Sequence, residues 1–214
     1  MGSRGVNRIG IKRTTNKQTS DRRKREEHGC QNARNILRRV GWIGGTHTIG
    51  VTRAYAIRHG AGPMPTEDCE MSNDPKFREV HNCHNAYQRT PRIGYFDAVL
   101  TNYAIEADGH IDSLAITHVD RFENGRCFYP SWQVATRYKW HSMAHPLVLT
   151  PRWKQTHNQE ATEIMGRVKP LYDNRLRMDV GRIVVTISSL LDRPLSIISR
   201  GPTYENKIYE GELA

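Results

Sequence analysis

The stretch Ile111-Asp-Ser-Leu-Ala-Ile-Thr-His-Val-Asp120 decides how this 214-residue chain folds. Its apolar residues follow a turn at Asp108-Gly109 and end at Thr117, which is the pattern of a buried strand in an α/β sheet. Residues 96–107, just before that turn, carry apolar side chains at helical spacing. The sequence therefore predicts a helix that leads through a tight turn into a buried strand.

The same order recurs towards the C-terminus. Asp179 precedes apolar residues spaced at i, i+3, i+4 and i+7, which predicts a second helix with Asp179 as its N-cap. Residues 195–199 follow as another buried strand. Alternating helices and strands predict an α/β fold with a parallel or mixed sheet and flanking helices. Ligands in such sheets bind beyond the carboxyl ends of strands, which here are residues 117–120 and 199–202.

Weaker patterns complete the predicted order of elements. Ile49, Val51, Tyr55 and Ile57 alternate with mostly polar residues, which predicts one half-buried strand. Further predictions are a loop at 60–65, a loop or small insertion at 67–93, and an edge strand at 132–138.

Positive charge is concentrated at the N-terminus. Residues 1–40 hold twelve Lys or Arg and three acidic residues, a net charge of +9 out of +10 for the whole chain. Such a segment buries too little apolar surface to offset the entropy of ordering. We therefore expect a basic, largely disordered arm over residues 1–45 and one folded region over residues 46–214. Since no apolar run approaches the roughly 18 residues of a membrane span, we expect a cytoplasmic protein without membrane contact.

The four cysteines show no paired spacing, and a chain of this size does not need a disulfide framework. We expect Cys30, Cys69, Cys83 and Cys127 to be free thiols. The cluster His81-Asn-Cys-His84 contains usual zinc ligands, but its spacing matches no regular zinc pattern. We predict no metal site in this chain.

Polar side chains follow both buried strands. A carboxylate at Asp120 offers two acceptor oxygens, which suit the adjacent N1–H and N2–H2 donors of guanine and oppose the N1 acceptor of adenine. Ser199 offers a hydroxyl, and Gly201 allows close backbone approach to a ligand. Judged alone, each segment reads more simply as a cap or a tight turn.

Two arginines precede the first predicted helix, in the segment Arg89-Thr-Pro-Arg92. Their guanidinium groups can form bidentate hydrogen bonds with a carboxylate or a phosphate. The helix N-terminus adds backbone dipoles that favour an anion. A solvated basic loop is the alternative.

Four segments, in order, resemble motifs of the adenylosuccinate synthetase family. Residues 60–67 (GAGPMPTE) resemble its GxGPFPTE loop, and residues 89–97 (RTPRIGYFD) resemble GRxRRxGWxD. Residues 114–120 (LAITHVD) resemble the guanine motif LALTKLD, and residues 195–202 (LSIISRGP) resemble ISIISVGP. The order and spacing identify residues from about 50 to 208 as similar to the C-terminal portion of that family.

The resemblance implies a fold, a reaction and site residues. Family members join aspartate to C6 of IMP, with GTP phosphorylating the 6-oxygen and Mg2+ as cofactor, and they form homodimers. By resemblance, Arg89 belongs to the loop that binds IMP and aspartate. The GTP base pocket is formed by Thr117, Asp120, Ser199 and Gly201.

The chain departs from the family pattern at several of these positions. His118 replaces the Lys of TKLD, and Gln88 ends a segment that replaces Thr-Thr-Gly before Arg89. Pro91 replaces a further arginine next to Arg92. Substrate identity is therefore open: the phage aminoadenylosuccinate synthetases, which act on dGMP and include members that use ATP, show this kind of divergence.

The family's GDEGKGK loop, which supplies the catalytic Asp, the Mg2+ site and phosphate contacts, has no counterpart in this sequence. Without it the chain has little to position a phosphoryl group, so we expect it to be inactive alone, with no catalytic residue of its own. One alternative is a non-catalytic module that binds guanine nucleotides. Another is a nucleic-acid-binding fragment with a basic tail, which the near absence of aromatic residues in the arm disfavours.

Overall fold

A computed structural model gives the structure of the chain and describes residues 30–78, 82–87, 89–109, 111–123, 132–140, 159–173 and 179–209. The helices are α1 Gln31–Arg39, α2 Cys69–Asn73, α3 Ala98–Asp108, α4 Gln159–Met165 and α5 Val180–Leu191. The strands are β1 Ile49–Arg53, β2 Ala56–Arg58, β3 Arg92–Gly94, β4 Phe96–Asp97, β5 Ser113–Thr117, β6 Val134–Lys139, β7 Lys169–Asp173, β8 Leu195–Ser199 and β9 Lys207–Tyr209.

The main sheet has the strand order β1-β5-β8-β9. Its first three strands are parallel and β9 runs antiparallel to β8, so the sheet is mixed. Helix α5 packs its apolar face onto this sheet, with Ile183 and Ile187 fully buried beside Ile116 of β5. The prediction of an α/β fold with a mixed sheet and flanking helices is confirmed.

Strands β4, β6 and β7 form a second sheet in which β6 is central. The prediction of an edge strand at 132–138 is therefore wrong in its placement. Strand β4 pairs with β6 on one side in parallel, and β7 pairs on the other side antiparallel. Neither the two-residue β4 nor β7 has a periodic pattern in the sequence. The sequence therefore did not show that β6 has a neighbour on each side.

The single strand predicted over 49–57 is two strands in two sheets. Strand β1 lies beside β5, whereas β2 pairs antiparallel with β3. Between them the Ala54 N–H donates to the Thr117 carbonyl at 2.9 Å, which prolongs the pairing with β5 before the chain turns. Val51 is 73% exposed although the alternation predicted a half-buried strand, because β1 is the last described strand at its edge of the sheet.

The predicted stop of the first helix at Gly109 and the predicted N-cap of the second helix at Asp179 are both observed. The first helix begins at Ala98 rather than at residue 96, because Phe96 and Asp97 form strand β4. The Asp97 carboxylate accepts from the Leu100 N–H at 3.0 Å, and the Asp179 carboxylate accepts from the Arg182 N–H at 2.8 Å. Both are N-caps that satisfy a backbone donor of the first turn. Helix α3 stops at Gly109, whose φ of 82° is the left-handed conformation that glycine adopts readily.

The segment from 67 to 93, expected to be a loop or small insertion, contains helix α2 and a 3-10 turn at Pro75–Phe77. Met71 and Phe77 are buried in a small cluster with Tyr55 and Ile93. These apolar side chains are too widely spaced in sequence to show a helical period.

Helix α1 lies in the segment expected to be a disordered arm. It ends where the Trp42 N–H donates to the Leu37 carbonyl at 2.9 Å and Gly41 adopts a φ of 72°. Residues 1–29 lie outside the described residues, so the boundary at residue 45 stays a prediction. Cys30, Cys69 and Cys83 are free thiols, and Cys127 lies outside the described residues. Within the described part of the chain, every helix is too short or too polar to cross a membrane.

Candidate functional site

The site begins where β5 and β8 end side by side. These strands are parallel neighbours, with Ala115 opposite Ile197 and Ile116 opposite Ile198. The carboxyl ends of both strands, at Thr117 and Ser199, therefore lie at the same end of the sheet. The structure thus brings together the two segments that the sequence singled out as ligand-facing strand ends.

Backbone and side-chain bonds hold the end of β5. The Thr117 hydroxyl donates to the Thr52 carbonyl at 3.2 Å, and His118 Nδ1 lies 3.1 Å from the same hydroxyl oxygen. His118 has a φ of 60°, a conformation that non-glycine residues seldom adopt, and it turns the chain into a 3-10 helix at Val119–Phe122. Because Val119 is fully buried, this turn is anchored in the core, and Asp120 stays at the rim.

The Asp120 carboxylate is partly exposed and lies near one cation. Its Oδ2 atom is 3.7 Å from Arg121 Nε, and the Arg121 guanidinium also donates to the Lys76 carbonyl. Arg121 is thus held between Asp120 and the turn at Pro75–Phe77. A carboxylate held in this way presents acceptor oxygens at the strand end without being fully neutralised.

The end of β8 is a tight turn with its own bonds. The buried Ser199 hydroxyl donates to the Gly201 carbonyl at 3.2 Å, and Lys207 Nζ donates to the same carbonyl at 2.5 Å. A Cβ atom on Gly201 would lie 2.5 Å from Asn206 Oδ1, so a side chain here would displace the Asn206 amide from its bonds to Thr203. Here the Ser199 hydroxyl stabilises the turn, and its role as a base contact stays a prediction.

Positively charged side chains lie around the carboxyl ends of β5 and β8. The pKa of His118 is lowered, first by burial and then by the nearby Arg53, with smaller contributions from Arg121 and Lys207, while Asp120 acts in the opposite direction. Arg53 donates to the Tyr55 hydroxyl at 3.2 Å, and the Tyr55 ring lies edge-on to the His118 ring at 5.9 Å. The lowered pKa favours the neutral imidazole of His118, and the same cations create a field that favours anionic ligands.

Arg53, Tyr55 and Lys207 were not among the predicted site residues. Lys207 lies opposite Ser199 in the β8–β9 pair, and β9 had no sequence signal strong enough to predict it. Arg53 and Tyr55 were read only as part of a strand. Their position at the strand end became clear only from the break between β1 and β2.

An ion pair joins the two strand-end loops. Arg200 Nε lies 2.5 Å from Glu123 Oε1, and this contact raises the pKa of Arg200. Arg200 stands where the ISIISVGP motif has Val, which is the one sequence signal that could have indicated it. The loops that follow β5 and β8 are thus tied to each other across the site.

The Arg89 loop is a tight hairpin on the surface. The Arg89 N–H donates to the Asn85 carbonyl at 2.8 Å, and the Asn85 N–H donates back at 3.3 Å. Arg89 is exposed and has a φ of 61°, which costs backbone energy in a non-glycine residue. Gln88 lies outside the described residues. The two bonds between Arg89 and Asn85 lie within the loop, and the role of Arg89 in binding stays a prediction.

Arg92 is engaged within the chain. Its guanidinium donates to Glu67 Oε2 at 2.8 Å and to the carbonyls of Gly60 and Gly62 at 2.9 and 2.8 Å. These three bonds fix the loop that resembles GxGPFPTE. Arg92 thus organises that loop from within, and its contact with a substrate remains a prediction.

The N-terminus of α3 already carries an acidic partner. Asp97 is buried, caps the helix and accepts from the Tyr138 hydroxyl at 2.5 Å. Burial raises the pKa of Asp97, while its hydrogen bonds act in the opposite direction. Because this carboxyl occupies the first turn, the anion site expected at this helix end is filled by the chain itself.

Among the described residues, no group of three or more His, Cys, Asp or Glu side chains is arranged to hold a metal ion.

The family model of adenylosuccinate synthetase matches residues 39–208. An adenylosuccinate synthetase from Wolbachia pipientis subsp. Culex pipiens (strain wPip) is 29% identical over 175 residues, which cover 75% of this chain and 38% of that protein. One from Dehalococcoides mccartyi (strain CBDB1) is 33% identical over 92 residues, covering 43% of this chain and 21% of that protein.

The fold is similar to a solved structure described as fully ligated adenylosuccinate synthetase from Plasmodium falciparum. The TM-score is 0.61 at 20% identity, over 78% of this chain and 40% of that one. The chain spans about two fifths of the length of the Wolbachia and Plasmodium proteins.

Proposed function

Because the chain belongs to the adenylosuccinate synthetase family, we propose that it is the base-recognition part of a purine-nucleotide ligase. In that reaction aspartate is joined to C6 of IMP after GTP phosphorylates the 6-oxygen. The observation that carries the proposal is the convergence of two segments at one sheet edge. Thr117–Asp120 and Ser199–Gly201 follow adjacent parallel strands, the place where α/β sheets bind ligands.

Each predicted site residue has a role in the proposal. Asp120 accepts from the N1–H and N2–H2 groups of guanine, while Thr117 fixes the strand end from which it projects. Ser199 and Gly201 shape the turn that forms the other wall. The Arg89 loop binds the carboxylates of aspartate and approaches the purine monophosphate.

The cations near Asp120 support an anionic ligand. Arg53 and Lys207 are close enough to His118 to lower its pKa, so positive charge lies around the proposed base site. A guanine nucleotide combines a base with the two donors that Asp120 needs and phosphates that such a field attracts.

Phosphoryl transfer needs groups that we place outside this chain. Mg2+ supplies charge stabilisation for the transferring phosphoryl group when it is bound, and its ligands belong to the part of the family that this chain does not match. We therefore propose that the chain alone does not turn over. We also propose that it acts in the cytoplasm and as part of the homodimer usual for the family.

The nucleotide substrate is IMP or dGMP, and the donor is GTP or ATP. The changes at Gln88, His118 and Pro91 fall in the segments that contact these ligands, and they favour a divergent branch such as that of the phage enzymes that act on dGMP.

Calorimetry with GDP and ADP tests base recognition. We expect the chain to bind GDP at least about tenfold more tightly than ADP, a difference of about 1.4 kcal/mol. Asp120→Asn should remove the preference because one acceptor oxygen is replaced by an NH2 group, which would face one of the two guanine donors. Asp192→Asn is the matched control: Asp192 is exposed, caps the far end of α5 and has a left-handed φ of 50° that Asn tolerates. Equal affinity for the two nucleotides would refute the proposal.

A second assay tests activity. The purified chain with IMP or dGMP, aspartate, GTP and Mg2+ should show no turnover above background. Clear turnover by the chain alone would contradict the proposal that catalytic groups lie elsewhere.

A further inference from the structure

Four aromatic side chains pack together behind the strand end that carries Asp120. The buried Tyr55 and Phe77 rings meet edge-on with their centroids 5.0 Å apart. The Phe122 ring contacts both of them, at 6.3 and 5.7 Å, and the His118 ring lies edge-on to Tyr55 at 5.9 Å. Aromatic pairs prefer such distances and angles. His118 is thus the member of this aromatic cluster that lies at the strand end.

Two contacts fix the orientation of the His118 ring. The Thr117 hydroxyl donates to the Thr52 carbonyl at 3.2 Å, so its oxygen accepts from His118 Nδ1–H, 3.1 Å away. The planes of the Tyr55 and His118 rings make an angle of 86°. An edge-on contact covers at most one face of a ring, so at least one face of the imidazole is turned away from Tyr55. Because His118 is only partly buried, the strand end presents an oriented aromatic ring at its surface.

The backbone at this position does not require an imidazole. His118 has a φ of 60°, a conformation that Asn or Gly adopts more readily. The TKLD motif that residues 117–120 resemble has Lys here, which carries no ring. The imidazole is therefore a departure from the motif that the turn itself does not explain.

Asp120 lies on the same short turn, two residues after His118. Its carboxylate is close enough to act on the charge of the imidazole, as are the cations Arg53 and Lys207, which favour the phosphates of a nucleotide. A nucleobase presents its hydrogen-bonding groups at its edge and its π system on its face, so stacking and edge recognition do not compete. The turn thus combines a ring for the face of a base with acceptor oxygens for its edge.

We propose that His118 is the base-stacking residue of the site: the purine ring lies on its imidazole while Asp120 reads the edge of that purine. The inference rests on the proposed function, because it assigns a further residue to the same nucleotide site. Stacking on an aromatic ring tolerates any base, since every base has a π face. His118 therefore contributes affinity for both guanine and adenine nucleotides, and Asp120 contributes the preference for guanine.

Calorimetry with GDP and ADP separates these two roles. His118→Asn removes the ring and keeps a residue that tolerates the left-handed backbone. It should weaken the binding of GDP and of ADP by the same factor, roughly fivefold or more, and leave the preference for GDP unchanged. Asp120→Asn should instead remove the preference.

His47→Asn is the matched control. His47 precedes the opposite end of β5, where its Nε2 atom lies 2.8 Å from the Ser113 hydroxyl oxygen. The control thus also removes an imidazole that is bonded to a hydroxyl, but far along the strand from Asp120, and it should leave both affinities unchanged. Thermal melts check that each variant is folded.

Proton NMR gives a readout that a merely structural role of His118 would not move. The chain has ten histidines, so the imidazole C–H signals of His118 are assigned by their loss in His118→Asn. On addition of GDP or ADP these signals should move upfield, because the ring current of a stacked purine shields protons above its face. Signals that stay in place at saturating nucleotide would overturn the proposal.

The outcomes separate this inference from the proposed function. Unchanged affinities in His118→Asn, or a loss confined to GDP, would overturn the stacking role and leave guanine recognition by Asp120 in place. If the unmodified chain binds GDP and ADP equally, guanine recognition is refuted, and an equal loss of both affinities in His118→Asn still supports stacking. A chain that binds neither nucleotide would refute both.

Discussion

Arg200 and Glu123 form an ion pair, with Arg200 Nε 2.5 Å from Glu123 Oε1, that ties the loop after β8 to the loop after β5. Both side chains are partly exposed, so the pair adds little to global stability. Its importance is geometric. The two loops that carry Asp120 and Gly201 are held at a fixed separation by a contact that the ISIISVGP pattern, with Val in place of Arg200, does not provide.

Replacing Arg200 by Val should lower the affinity for GDP more than it lowers the stability of the fold. We expect the free energy of unfolding to fall by less than about 1 kcal/mol and the affinity for GDP to fall several-fold. Denaturant titration and calorimetry measure the two effects. Arg137→Val removes a comparable exposed pair with Asp173, between strands β6 and β7 of the second sheet, and should leave GDP affinity unchanged. A GDP affinity equal to that of the unmodified chain would show that the pair does not position the site.

Removing the Tyr138 hydroxyl should destabilise the chain. Tyr138→Phe leaves the buried Asp97 carboxyl without the donor that now lies 2.5 Å away, and we expect a loss of about 1–3 kcal/mol. Urea denaturation gives the value. Tyr209→Phe, at an exposed tyrosine, is the control and should change little. Equal effects of the two substitutions would contradict the account of Asp97 as a buried group satisfied by this bond.

Gly94 should tolerate no side chain. A Cβ atom at this position would lie 2.0 Å from the Thr66 carbonyl oxygen, which is main chain and part of the Gly60–Glu67 loop. We expect Gly94→Ala to cost about 3 kcal/mol or more and to lower the yield of folded protein. Gly45→Ala is the control because its Cβ would meet no atom within 4 Å. Near-normal stability of the Gly94 variant would mean that the loop moves away easily.

His118 should make stability depend on pH. Burial, Arg53, Arg121 and Lys207 lower its pKa, and Asp120 only partly compensates. The unfolded state therefore binds more protons below the usual histidine value of about 6.5. The stability associated with neutral His118 is present above that pH and is lost as the pH falls towards the lowered pKa.

His118→Asn keeps a residue that tolerates the left-handed backbone and removes the titration. In urea titrations the variant should show a smaller loss of stability between about pH 7 and 5 than the unmodified chain. Parallel pH profiles of the two proteins would show that His118 does not titrate in this way.

Strong periodic signals predicted the parts of the fold that depend on local packing. The helix at 180–191 and the strand at 195–199 were predicted because one apolar face or one apolar run is enough to specify each. The break at Ala54 was missed because alternation continues across it. Helix α1 was missed because the basic composition of residues 1–45 predicted disorder, and the helix has few apolar residues to set a period.

The candidate site was predictable only where a motif carried it. The pattern placed Thr117 and Ser199 at two strand ends, the resemblance implied one base pocket, and the structure brings those ends side by side. Lys207 lies on β9, and Glu123 follows the turn after β5. Both reach the site by long-range pairing, which no local sequence pattern encodes.

The open edge of β1 has a practical consequence for solubility. A parallel strand with an exposed valine at the end of the described sheet is a template on which further copies of the chain can add. Val51→Lys places a charge on that strand, so it should raise the concentration at which the chain begins to aggregate. Light scattering measures that concentration.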